Sequence, residues 1–214
     1  MRERDDIIEM LKRIEEKLYA GWNLYIALTF LYWIPVLSAY TALASTSWFQ
    51  GLRGERQAAV SIAYWAAAVL PVFTLYTKTL KRYLERLEAA AHARRRIGPR
   101  RCGLLAAASW PLGIMLEPFT AAALEPLLGP ARAQAAALLT FIAVGTLGVS
   151  WSEHCASKRL PPSLVAPAIT ALGIALLPLA PNDVYTAYMF AGSIITVGYS
   201  LTAILYVTAA LRNI

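Results

Sequence analysis

Residues 78 to 101, KTLKRYLERLEAAAHARRRIGPRR, form the one long polar block between two apolar halves of the chain. The block holds nine of the twenty lysines and arginines against two acids, Glu85 and Glu88. Cytoplasmic loops of membrane proteins keep their Lys and Arg, because such clusters resist transfer across the bilayer. With this block held on the cytoplasmic side, the orientation of every apolar segment around it follows.

Those segments are long. Apolar residues make up 58% of the chain and charged ones 15%, against the roughly 45–50% apolar usual in globular domains. The charges gather in a few blocks, which is the pattern of a polytopic membrane protein. Six spans approach the ~20 residues a helix needs to cross ~30 Å of hydrocarbon: 20–44, 58–77, 102–124, 133–151, 163–180 and 184–211. In a six-span chain, one side carries five Lys and Arg before the first span, nine in the block, then two (Lys158, Arg159) and one (Arg212). The other side carries Arg53, Arg56 and Arg132. Seventeen against three predicts a multi-pass protein of the cell membrane with both termini cytoplasmic.

The expected fold class is all-α, a bundle of six transmembrane helices forming a single membrane domain. Residues 1–19 are read as a cytoplasmic amphipathic helix, 20–77 as a first transmembrane hairpin, 78–101 as a basic cytoplasmic segment and 102–214 as four further spans. Short outer connections pair the spans as three antiparallel hairpins, and no residue pattern repeats among them. In the first segment Ile7, Leu11, Ile14 and Leu18 recur at 4-3-4 spacing, one helical stripe resembling a short coiled-coil seam. The segment is mixed in sign and lacks the short basic patch and apolar run of a cleavable signal, so the first span is expected to drive insertion.

The second span should run on as helix into the basic block, with Leu80, Leu84, Leu87 and Ala91 on one stripe and Gly98-Pro99 as its end. Its cluster Arg94, Arg95, Arg96, Arg100 and Arg101 matches the anionic headgroups of a bilayer. The net charge of +7 also suits nucleic acid, but the positive-inside bias accounts for the excess and nucleic acid is the disfavoured partner. Fifteen Arg to five Lys, with abundant Ala, fits a GC-rich prokaryotic genome.

Glu117 is the most informative single residue. It falls some fifteen residues into the third span, roughly 22 Å from its start, and an acid in a membrane helix usually faces a cavity or a partner. Pro118 frees a carbonyl beside it, which suits a proton or cation site. The competing expectation is that the span ends near Leu116 and Glu117 opens an interfacial stretch. The second Glu-Pro pair, Glu125-Pro126, favours that reading.

Gly192, Thr196 and Ser200 repeat at four-residue spacing in the sixth span. Such a polar stripe lines a pore or, more commonly, lets two helices pack closely. Glu153, His154, Cys155 and Cys102 have metal-ligand chemistry, but adjacent ligands on one helix splay about 100° apart. No metal and no cofactor is expected, and both cysteines are expected to be reduced. Motifs for serine hydrolysis, zinc proteolysis, redox thiols or phosphate cradling are absent, which points away from an enzyme. Two functions remain. One is a scaffold or anchoring subunit that binds other membrane or cytoplasmic proteins through its cytoplasmic helices. The alternative is a small ion or solute transporter or channel that uses Glu117.

Overall fold

A computed structural model describes residues 2–75, 100–157 and 160–212. Every regular element among them is helical. This follows from the composition, since a helix satisfies its own backbone polar groups where no water can. The elements are α1 (Arg2–Ala44), α2 (Ser47–Gln50), α3 (Gly54–Leu75), α4 (Arg100–Leu128), α5 (Pro130–Ser157), α6 (Val165–Leu176) and α7 (Val184–Leu211). Short 3₁₀ turns, Pro162–Leu164 and Leu177–Leu179, bracket α6 and lengthen it at both ends.

Four helical stretches among the described residues are long and apolar enough to cross a membrane: Tyr19–Ala44, Pro130–Cys155, Pro162–Leu179 and Val184–Leu211. The sequence expectation was six. The other two candidates are helices too, but α3 opens with Glu55 and Arg56 and α4 carries Arg100, Arg101, Glu117 and Glu125.

Two boundaries differ from those read in the sequence. The amphipathic segment and the first span are one uninterrupted helix of 43 residues, about 64 Å long. Gly21 does not break it, because Leu18, Tyr19, Trp22 and their neighbours continue the helical register on both sides. The helix does not break near Leu116: α4 runs through Pro111, Pro118 and Pro126 to Leu128. A proline removes one hydrogen bond from the preceding turn, and packing against a neighbouring helix is able to absorb that loss. The expected helix over 78–97, with Arg94, Arg95 and Arg96, lies outside the described residues.

At the centre stands α5, whose Ala135, Ala136, Leu138, Leu139 and Ile142 are buried. α4 lies along one side of it, and α6 and α7 lie along the others. Small residues set the α4–α5 distance. A Cβ on Gly113 would stand 2.9 Å from the Phe141 carbonyl oxygen, and one on Gly145 would enter the Trp110 ring. The first helix closes the bundle against the last. Phe30 meets Tyr199 edge-on at 5.0 Å and stacks on Tyr206 at 6.2 Å, while Thr41 covers Gly192. Residue numbers fall along α1 as they rise along α7, so the two run antiparallel.

α3 is held differently. Its bonds to α1 come from long side chains: Tyr32 Oη donates to the Ala68 carbonyl at 2.8 Å, Tyr64 Oη donates to the Val36 carbonyl, and Tyr40 and Ser61 share a hydrogen bond of 3.2 Å. Aromatic rings therefore space α3 away from the helix it was expected to pair with closely.

Most intramembrane hydroxyls are satisfied within their own helix. Thr146 donates to the Ile142 carbonyl, Thr170 to Ala166 and Thr202 to Gly198, so they demand nothing from their neighbours. At the turn end, Gly129 has φ 80°, a left-handed backbone that costs an L side chain about 1–2 kcal/mol. A Cβ there would also collide with the Asn182 amide. Gly129→Ala is expected to destabilise the detergent-solubilised protein by at least about 1–2 kcal/mol, read as a lower thermal midpoint.

Asp183 caps α7, accepting the Thr186 backbone N–H at 2.8 Å. That bond favours the charged form and holds its carboxyl below the usual carboxylate range. A carboxyl lowered on folding stabilises the protein above its unfolded pKa and loses that contribution as the pH falls through the folded one. The gap in thermal midpoint between wild type and Asp183→Ala should therefore be full at neutral pH and close on acidification.

Candidate functional site

Two carboxylates lie within the bundle, and the structure treats them in opposite ways. Glu153, near the end of α5, accepts a hydrogen bond from Ser163 Oγ at 2.6 Å and another from Tyr206 Oη. Ser163 and Tyr206 are themselves buried. One carboxylate thus joins α5, the turn that opens α6, and α7. Both donors reach the same oxygen, Oε2, and the role of the carboxylate is that of a pin. Sequence reading had grouped it with His154, Cys155 and Cys102 by ligand type and did not see its true partners. The signal was out of reach, since Ser163 and Tyr206 are ten and fifty-three residues away.

The His154 ring lies tilted by 53° to that of Trp151, with centroids 6.2 Å apart. No group of three His, Cys, Asp or Glu side chains among the described residues is placed to hold a metal. Cys155 is held in a disulfide, which corrects the expectation of reduced cysteines. The α4–α5 hairpin is what makes this possible, since it returns the end of α5 to the level at which α4 begins.

Glu117 is the other carboxylate. It lies within the continuous α4 helix and is half-buried. Gly113 is one turn earlier on the same face and packs on Phe141 of α5, so this face looks into the bundle. Tyr40 of α1 and Tyr188 of α7 are half-buried and pack on the core of the bundle. Around Tyr40 the rings are close: Trp65 at 4.8 Å and Tyr64 at 5.3 Å, both from α3. Trp65 in turn meets Phe141 at 6.2 Å.

No described residue donates a hydrogen bond to Glu117, and among the described residues no Lys or Arg pairs with it. The ion pair recorded among them is Arg13–Glu9 on the exposed arm of α1. Glu117 is therefore a half-buried carboxylate without a counter-charge among the described residues.

The polar stripe of α7 faces the same partner helix. Gly192 is buried against Thr41, Thr196 Oγ1 stands 3.4 Å from Ser38 Oγ, and Ser200 is half-buried. The first two contacts belong to the α1–α7 seam. Of the expected basic patch, Arg100 and Arg101 open α4, and the rest lies outside the described residues. Comparison of the chain with protein families, with characterised proteins and with solved structures finds no match.

The Glu153 pin makes a separate claim on stability. A buried hydrogen bond to a charged group is worth about 1.5–3 kcal/mol net. Glu153→Ala should destabilise the solubilised protein by at least that much, with Tyr206→Phe and Ser163→Ala costing less each. A double mutant of Glu153 and Tyr206 should fall short of additivity, since both changes break the same bond.

Proposed function

We propose that this is a multi-pass membrane protein that binds and passes a cation or small solute at Glu117, with α1, α3, α4 and α7 around the site. One observation carries the reading. A carboxylate inside an apolar bundle, with no cation paired to it among the described residues, needs a proton or a ligand to balance it. Glu153 supports this by contrast, for there the fold supplies two donors to a carboxylate in the same bundle.

The same proposal takes α3 and α4 as the second and third of six spans. On the positive-inside count both termini and the basic block then face the cytoplasm of the cell membrane, with Gly129 and Asn182 at the opposite face. The protein acts without catalytic chemistry or a resident cofactor.

A second reading is supported by a separate observation. The arm of α1 that precedes Tyr19 exposes Ile7 at 54%, Met10 at 62% and Ile14 at 43%. No described part of the chain covers that stripe, which suits an anchoring role toward another subunit. The two readings are compatible, since the arm and Glu117 occupy different ends of the molecule.

Reconstituted vesicles test the first. Under an imposed cation or proton gradient, Glu117→Gln should lower flux by roughly ten- to a hundredfold, and Glu117→Asp should retain most of it. Equal flux in wild type and Glu117→Gln would remove Glu117 from the mechanism.

A further inference from the structure

We infer that the exposed stripe on the arm of α1 docks other copies of this same chain, side by side in one membrane, as a parallel helical bundle. This rests on the second reading above, in which the arm anchors to a subunit, and it names that subunit.

The stripe is out of reach of lipid. Ile7, Met10 and Ile14 are exposed, and they precede Tyr19, where the apolar span opens, by twelve, nine and five residues. At 1.5 Å per residue, Ile7 and Met10 stand about 18 Å and about 14 Å beyond that point. Headgroups fill only about 5–7 Å on each side of the hydrocarbon. α1 is one helix through this region, and its one proline, Pro35, lies well inside the span. Sharp helix bends fall mostly at prolines, so the arm stands off the bilayer instead of lying on it. Large apolar side chains aligned on one face outside the membrane mark a surface for protein.

The spacing identifies that protein as another copy of the chain. Ile7, Leu11, Ile14 and Leu18 recur at 4-3-4, the heptad seam that like helices use to pack on one another. Ile at one seam position with Leu at the other favours bundles of more than two strands. The exposed face keeps the same period into the membrane: Ile7, Ile14, Gly21 and Leu28 fall seven residues apart, and Leu24, Leu28 and Leu31 are exposed. The arm alone falls short of the roughly 20–30 residues per side of a stable interface. Arm and span together approach it.

Gly21 is an independent sign. Glycine is unfavourable inside a helix, and elsewhere in this bundle a neighbour explains it. A Cβ on Gly113, Gly145 or Gly192 would crowd Phe141, Trp110 or Thr41, whereas a Cβ on Gly21 would meet nothing within 4 Å. Its small side is unused within one chain, and a helix of a neighbouring copy fits there at close range.

The charges agree. Glu9 and Arg13 pair with each other at 2.8 Å off the stripe. Lys17 falls on the stripe only at headgroup depth, where a long basic side chain reaches lipid phosphate. Copies that share one orientation in a bilayer are related by an axis along the membrane normal. Their α1 helices then run parallel, with like residue facing like residue.

The test uses the full chain. In mild detergent, native mass spectrometry should weigh roughly three or four copies. The double variant Ile7→Glu, Ile14→Glu should weigh one, with its helix content retained by circular dichroism, which separates lost docking from lost folding. Gly21→Leu, harmless to a single chain, should weaken self-association at least about tenfold. In liposomes of the purified protein, a short bis-maleimide should link Ile14→Cys into a covalent dimer, and Glu16→Cys, on the opposite face, at least about tenfold less.

A single-chain mass with equal linking at positions 14 and 16 would overturn the inference. In native membranes, linking of Ile14→Cys to a chain of different mass would overturn the second copy and keep the docking role of the arm. No link to any protein there would overturn both.

Discussion

An unpaired polar group in hydrocarbon costs several kcal/mol, and the whole arrangement of this bundle answers to that penalty. The backbone meets it by folding into helices throughout the described residues. Threonine and serine hydroxyls meet it by turning back on the preceding turn, as at Thr146, Thr170 and Thr202. Glu153 meets it with Ser163 and Tyr206. Glu117 stands apart, because no described residue answers its charge. Asn23 Nδ2 and Arg132 Nε are also buried without a hydrogen-bond partner among the described residues, so Glu117 is one of several polar groups that the fold leaves open.

Packing in such a bundle has no water to expel between helices, so close approach of backbones does much of the work. The alanines of α5 and the glycines at 113 and 145 provide that approach on one side. On the other, large rings fill a wider gap between α1 and α3. The molecule therefore combines a close-packed half, centred on α5 and α7, with a half spaced by aromatic side chains. Glu117 looks from the first toward the second.

Much of this was legible in the residues. Apolar stretches of near-membrane length announced helices, and the structure places helices where they were expected, including Val184–Leu211. The 4-3-4 stripe of Ile7 and Ile14 announced an amphipathic helix, and both side chains are exposed on one. Glu117 drew notice as an isolated acid. The two Glu-Pro pairs look like helix starts when read locally, yet neither starts one. Tertiary packing against α5 carries the helix through them. The α1–α7 seam was likewise hidden, since it pairs the first and last spans and leaves no trace in local spacing.

What the sequence determined alone is set by solvation: a chain this apolar, with its charge in blocks, has to be helical, and its helices have to be long. Local periodicity also determined which faces are polar. Only the tertiary structure decided which acid is satisfied and which is left open, because that depends on donors from distant helices arriving at one point. Glu153 and Glu117 are the same residue type in similar apolar surroundings. The physical difference between them is that Ser163 and Tyr206 reach one and no described residue donates to the other.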